Sequence, residues 1–347
     1  MSTLETNAIG KYSGNNVSVD DALNLKSYTT AQRDALTSVA GDTIYNSDDN
    51  KVQVHNGSAW EDLGGIAAFS LEYLIVGGGG TPDGRSGKNG GGGAGGVLTN
   101  VSGDNSGGGN SASPAFYVVP NTNYNVEVGA SRGESYIESI TSAPGGSGGL
   151  GASSANAAAS TEGGSSVAAP TNSFANQGFR GGAGNASGQS VGGGGGGAGT
   201  VGGDNSGATG GNGGTGAIST IISASDATTY SVGEVSGSDV YFGGGGGGAG
   251  SLAGGGGTST GGLGGGGNGF SGSTNGEAGA ANTGGGGGST DTGTVGAGGS
   301  GVVILKFPDT YTITVGAGLT DATSGGITSG GFTTVILTAG VDTVSWS

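Results

Sequence analysis

The stretch Tyr241-Phe-Gly-Gly-Gly-Gly-Gly-Gly-Ala-Gly250 carries nothing larger than a methyl group after Phe242. Ordering such a run costs about 1–2 kcal/mol per residue in backbone entropy, with glycine at the expensive end, and there is no side chain to bury in return. If the run is ordered, it must be held by lateral backbone hydrogen bonds, at about 0.5–1.5 kcal/mol net each, and by close backbone packing. Polyproline-II geometry allows both. Its three residues per turn make no internal hydrogen bonds, so every N–H and C=O points sideways toward a neighbour. The missing Cβ then permits approach from several directions.

Working outward, uninterrupted glycine runs recur at 77–80, 90–93, 192–197, 254–257, 264–267 and 284–288. Of the 91 glycines in 347 residues, 78 fall within residues 77–301, against 6 in residues 1–70 and 7 in residues 302–347. A collagen helix is excluded by the irregular run lengths and by a total of six prolines. A flexible linker is the alternative reading. Against it stand two β-branched stretches that bracket the block, Phe69-Ser-Leu-Glu-Tyr-Leu-Ile-Val76 and Gly301-Val-Val-Ile-Leu-Lys-Phe-Pro308, which are expected to pair and close it. Residues 115–120, 124–130 and 217–222 also read as strands. The segment Tyr124-Asn-Val-Glu-Val-Gly-Ala130 is echoed by Tyr311-Thr-Ile-Thr-Val-Gly-Ala317, and Gly-Asp-Asn-Ser-Gly occurs at 103–107 and again at 203–207.

The flanks read differently. Residues 17–20 and 23–26 alternate as short strands, Thr29 and Gln32 have capping-box spacing ahead of one short helix, and residues 43–60 read as consecutive hairpins anchored by Trp60. No other helix-capping signal is read in the chain. Residues 332–337 and 341–346 are strand-like. The expected fold is mainly β and irregular. It comprises an N-terminal β-module with one short helix at 1–68, a central polyglycine II helix bundle bracketed by β-strands at 69–308, and a C-terminal β block at 309–347.

Charge and motifs narrow the chemistry. With 9 basic and 25 acidic residues the net charge is −16, which repels nucleic-acid phosphates, so no nucleic-acid partner is expected. There is no cysteine, the aliphatic runs 74–76 and 302–305 are far too short to span a bilayer, and the first residues lack a signal-peptide pattern. Export by the general secretory route is therefore not expected, which disfavours an extracellular bacterial adhesin. A dinucleotide fingerprint after Val76 fails, because its third glycine falls on Pro82 or Asp83. Gly87-Lys88 is followed by Asn89 and so lacks the magnesium-binding hydroxyl of a phosphate loop. His55, the one histidine, sits in a predicted hairpin strand, and Asp48-Asp49 reads as a solvated turn rather than a calcium loop. No catalytic residue, metal site or cofactor is expected, and the chain is not read as an enzyme. Phe174, Asn176, Gln177, Phe179 and Arg180 are the candidate receptor-binding residues, since rings stack while amides and a guanidinium bond hydroxyls and carboxylates. Alternatively, Phe174 and Phe179 plug the end of the bundle.

Tyr73-Leu-Ile-Val-Gly-Gly-Gly-Gly80, Gly91-Gly-Gly-Ala-Gly-Gly-Val-Leu98, Tyr241 to Gly250, Gly262-Leu-Gly-Gly-Gly-Gly-Asn-Gly269 and Gly298-Gly-Ser-Gly-Val-Val-Ile-Leu-Lys-Phe-Pro308 resemble, in order and wording, the glycine-rich domain of bacteriophage tail-fibre and other virion proteins. The segment from Tyr28 to Trp60 is similar to a small module of structural proteins from marine and cyanobacterial phages. In composition the core also resembles T-even-type distal tail-fibre adhesins, in which loops at one end of a glycine-helix lattice contact the host receptor. The resemblance implies a virion-located tail-fibre or spike protein acting in host attachment, with a capsid decoration or head-fibre protein as the alternative. The implied partners are other virion proteins of the tail or capsid, a host glycan or outer-membrane protein as receptor, and identical copies in a homotrimer.

Overall fold

The computed structural model describes residues 25–63, 68–83, 90–142, 177–185 and 191–347. The strands expected at 17–20 and 23–26 fall wholly or largely outside these residues. The chain divides into two units at Ala67 and Ala68.

In the first unit, β1 (Ser27–Tyr28) runs parallel to β2 (Thr43–Asn46), which pairs antiparallel with β3 (Lys51–His55), and β3 with β4 (Trp60–Asp62). Helix α1 (Thr30–Asp34) begins as the sequence predicts, with Thr29 and Gln32 forming both halves of a capping box. Asp48 adds a further cap, because its carboxylate accepts from Thr30 N–H at 2.9 Å. Trp60 is only partly buried and meets His55 edge-on at 5.2 Å, so it does not anchor the module. Among the described residues of this unit the buried side chains are Ile44 and two amides, Asn46 and Gln53. Asn46 donates to Gln53 Oε1 (3.1 Å) and Asp49 Oδ2 (2.8 Å), and Arg33 reaches the same Gln53 oxygen at 3.0 Å. These partners offset the desolvation of two buried amides.

The second unit is organised by β5 (Phe69–Val76). It is followed by β6 (Val97–Thr99), the short pair β7 (Asn105–Ser106) and β8 (Asn110–Ser111), β9 (Phe116–Val118), β10 (Tyr124–Val128), β11 (Ser135–Ile137) and β12 (Ile140–Ser142). A subdomain comes next, made of β13 (Ala217–Ile218), α2 (Ala224–Tyr230), β14 (Glu234–Ser236) and β15 (Asp239–Phe242). Closing the chain are β16 (Val302–Pro308), β17 (Ile313–Val315), β18 (Leu319–Asp321), β19 (Ile327–Ser329) and β20 (Phe332–Trp346). The main sheet runs β12-β11-β10-β20-β16-β5-β6, and the bracketing strands β5 and β16 pair antiparallel as the sequence predicts.

Residues 309–347, set apart in the sequence reading as a third block, are strands of this same sheet. β20 lies between β16 and β10, and its Val335, Ile336, Leu337, Val344 and Trp346 are buried in the core of the second unit. The internal echo acquires a structural meaning here: Val344 of β20 is partnered by Tyr124 on one side and by Val315 on the other. One sheet face buries Phe69, Tyr73, Phe307, Leu337 and Trp346, each worth about 1.5–3 kcal/mol of burial. The other face, with Leu74, Ile304 and Ile336, is covered by Ile221, Ile222, Val240 and Phe242 of the subdomain.

Helix α2 is a correction to the sequence reading, which placed capping signals only near Thr29 and a strand over 217–222. Ser223 Oγ accepts from Asp226 N–H at 3.1 Å, and Asp226 lies in the first turn, where a carboxylate favours the helix dipole. Thr228 and Thr229, poor helix formers, return their hydroxyls to Ala224 and Ser225 carbonyls at 2.8 Å. The strand shrinks to Ala217–Ile218.

Between these elements the glycine segments form a lattice. Gly77 and Gly80 donate to Gly96 and Gly93, Gly78 to Gly133, and Gly79 to Gly299, at 2.8–3.0 Å. Donors three residues apart thus meet the same neighbour, as three residues per turn require. Segment 243–250 is fully enclosed: Gly244, Gly247 and Gly250 donate to Gly264, Gly267 and Phe270, Gly245 and Gly248 to Gly214 and Gly211, and Gly246 to Gly92. Its carbonyls accept from Gly195, Gly262 and Gly286. Neighbours run both parallel and antiparallel, and the spacing excludes side chains. A Cβ on Gly246 would fall 2.0 Å from the Gly287 oxygen.

Two buried serines join sheet to lattice. Ser135 Oγ accepts from Gly129 N–H (2.9 Å) and donates to Val76 O (2.7 Å), while Ser142 Oγ accepts from Gly77 N–H (2.9 Å) and donates to Gly96 O (2.5 Å).

Candidate functional site

The hydrogen-bond register sorts the connections between glycine segments into two ends. Segment 77–80 leaves the sheet at Val76 and 90–96 returns to it at Val97, so Gly77 and Gly96 mark the sheet end. From there Gly91 and Ala94 donate to Gly193 and Gly196, Gly211 to Gly192, Gly246 to Gly92, Gly267 to Gly286 and Gly296 to Gly288. Followed through, this register brings the connections 205–209, 251–258, 271–275 and 290–293 together, with Thr81, at the end away from the sheet.

These loops are tied into a row. Ser251 N–H donates to Ala208 O (2.8 Å), Ser271 Oγ to Gly256 O (2.7 Å), Thr292 N–H to Gly272 O (2.9 Å), and Thr294 N–H to Asn275 Oδ1 (2.9 Å). Thr290, almost wholly buried, donates its hydroxyl to Thr274 O at 2.5 Å. At 205 the loop leans on segment 177–185, where Asp204 Oδ1 accepts from Ala183 N–H at 2.7 Å. Ser206, Ser273, Thr274, Asn275 and Thr292 are exposed, as is Leu252 at 65%. The result is a surface of hydroxyls and an amide with one aliphatic side chain and the half-buried carboxylate of Asp291, presented on a backbone base. Such groups donate to and accept from polar ligands without needing a charge partner.

Of the sequence-derived candidates, Gln177, Phe179 and Arg180 lie elsewhere. Phe174 and Asn176 are outside the described residues. Gln177 is buried at the sheet end, where Nε2 donates to Thr141 O (3.1 Å) and its own carbonyl accepts from Val97 N–H (3.3 Å). Phe179 and Arg180 contribute backbone to the lattice, Phe179 N–H donating to Gly197 O and Arg180 O accepting from Gly202 N–H, while the Arg180 side chain is exposed. A cleft of about 570 Å³, bounded by Asn105, Gly109, Thr215, Ile218 and Tyr241, also opens at this end. Of the two Gly-Asp-Asn-Ser-Gly turns, Asp204 serves the loop end, and Asp104 is buried near the sheet end, holding Ser219 Oγ (2.8 Å) and Thr220 N–H (2.9 Å).

A model of the glycine-rich domain matches residues 64–308, a span that begins just before β5 and ends with β16. The chain belongs to this glycine-rich domain family. No curated protein and no solved structure matches it. In this glycine-rich domain the matched span closes where β16 completes its pairing with β5, while β20, outside the match, supplies the strand beside β16.

Proposed function

We propose that this chain is a structural protein of a bacteriophage tail fibre or spike, presenting the loop end of its glycine lattice to a host-surface receptor, a glycan or an outer-membrane protein. The observation that carries this reading is the register that gathers loops 205–209, 251–258, 271–275 and 290–293 into one hydrogen-bonded row on a side-chain-free base. A scaffold held by backbone bonds leaves loop sequences free to vary without disturbing the fold, the property an adhesin needs. The net charge of −16 argues against phosphate-rich partners. In this reading the N-terminal module docks onto other virion proteins, and no catalytic step is involved.

The test is adsorption by virions lacking the chain. Loss of adsorption with intact heads supports the assignment. Normal adsorption with capsids that lose stability or occupancy replaces it with a decoration or head-fibre role.

A further inference from the structure

The turn between β3 and β4 holds four groups in an arrangement the adhesin reading does not use. Asn56 N–H donates to Ala59 O at 2.9 Å and closes the hairpin. The Asn56 side-chain carbonyl accepts from Ser58 N–H (2.8 Å) and Ala59 N–H (2.9 Å), and its amide nitrogen donates to Glu61 Oε1 (2.6 Å). Next in the chain, Gly57 N–H donates to His55 Nδ1 at 3.2 Å, with the imidazole set edge-on against Trp60. Gly57 has φ +102°, and only Ala40 Cβ, at 3.4 Å, approaches the place of a side chain there.

We propose that Asn56-Gly57 is a self-modification site, at which His55 promotes succinimide formation and loss of ammonia. Gly57 nitrogen passes its proton to His55 Nδ1 and bonds to Asn56 Cγ, while the two N–H groups on Oδ1 stabilise the charge that develops there. The Cγ–Nδ2 bond then breaks, and the departing nitrogen leaves as ammonia, taking back a proton through solvent. Water opens the succinimide to aspartate or isoaspartate, with no oxidant or reductant involved. The product sets a carboxylate where an amide had donated to Glu61, so like charges replace a hydrogen bond and the hairpin loosens.

The chain contains its own comparison. At Asn212-Gly213, Asn268-Gly269 and Asn275-Gly276 the glycine N–H donates to a backbone carbonyl, of Thr260, Ser259 and Thr294 respectively, at 2.8–2.9 Å. A carbonyl fixes that proton without accepting it, whereas an imidazole nitrogen can take it.

The experiment is peptide mapping by mass spectrometry of the full-length protein aged at neutral pH, natively and in urea. In the native protein Asn56 is expected to convert roughly ten-fold faster than Asn275, a modest share of what a positioned general base supplies. The gap should close in urea and in native His55→Gln. Equal native rates overturn the proposal. So does a gap that persists in urea, because it would then come from local sequence. A native His55→Gln rate equal to wild type overturns the role of the imidazole, and the urea arm still reads the wild-type geometry if that variant fails to fold.

Discussion

Gly79 N–H donates to the Gly299 carbonyl at 2.9 Å, tying the segment that leaves β5 to the segment that enters β16. A Cβ on neighbouring Gly298 would lie 2.0 Å from the Gly79 oxygen, so the closure exists only between bare backbones. The block is therefore sealed twice, by the β5–β16 ladder and by the lattice beside it.

That closeness predicts a steep response to added side chains. A Cβ at Gly245 falls 2.1 Å from the Gly195 oxygen, which itself accepts from Gly214 N–H. Gly245→Val should cost about 3 kcal/mol or more through overpacking and broken bonds. Val201→Ala, at a half-exposed side chain, should change stability by less than about 0.5 kcal/mol. Thr200, also outside a run, is less neutral: its hydroxyl accepts from Thr215 N–H at 2.8 Å, so Thr200→Val should cost about 1 kcal/mol. Denaturant midpoints rank the three, and equal values would contradict a packed lattice.

The serine staples make a second prediction. Ser135→Ala leaves both Gly129 N–H and the Val76 carbonyl without their buried partner, and should cost about 1–3 kcal/mol. Ser142→Ala should cost less, because Gly77 N–H and the Gly96 carbonyl stay bonded to each other at 3.0 Å. Because the two serines hold different segments to the same lattice edge, the double variant should lose at least the sum. A neutral Ser135→Ala in chemical denaturation would mean the sheet and lattice are not coupled through this hydroxyl.

Acid should loosen β20 where Asp342 meets Gly318. The Asp342 carboxyl is held below its ordinary value by hydrogen bonds from Gly318 N–H and then Thr343 N–H, against a smaller opposing effect of burial. A depressed carboxylate stabilises the fold above its unfolded value of about 4 and loses that contribution as pH falls through the lower folded value. Asp342→Asn should therefore flatten the acid limb of the stability profile below about pH 4 while leaving its alkaline limb unchanged. An unaltered acid limb would assign the loss to other groups.

Much of this fold is legible in the sequence because glycine leaves so few options. The β5–β16 pairing, the capping box at Thr29 and the three-residue hydrogen-bond period all follow from residue type and spacing. Helix α2 was hidden because Asp226 takes the place where glutamate or glutamine makes a capping box, and Thr228-Thr229 argue against helix until their hydroxyls find carbonyls. Trp60 reads as a core residue by size, yet the buried side chains of its module include Asn46 and Gln53, whose hydrogen bonding no hydropathy pattern reveals. The loop end was invisible for a different reason. Which connections share an end depends on register between identical residues, and a glycine run carries no side chain to record it.

The last prediction separates the loop end from the 172–180 segment. Ser273→Arg and Thr292→Arg place long charged side chains on exposed loop positions and keep the backbone bond from Thr292 N–H to Gly272 O, so stability should shift by less than about 0.5 kcal/mol. If the row of loops meets the receptor, a bulky side chain in its middle excludes close contact, and adsorption of virions carrying either variant should fall roughly ten-fold or more. Arg180→Ala, at an exposed side chain on segment 177–185, should leave adsorption unchanged, because the backbone bonds of Phe179 and Arg180 survive the substitution. The opposite pattern, with Arg180→Ala defective and both loop variants normal, would move the receptor contact to the segment that contains Phe174 and Asn176. Normal adsorption by all three variants, in particles that fail to adsorb without the chain, would place recognition on another loop.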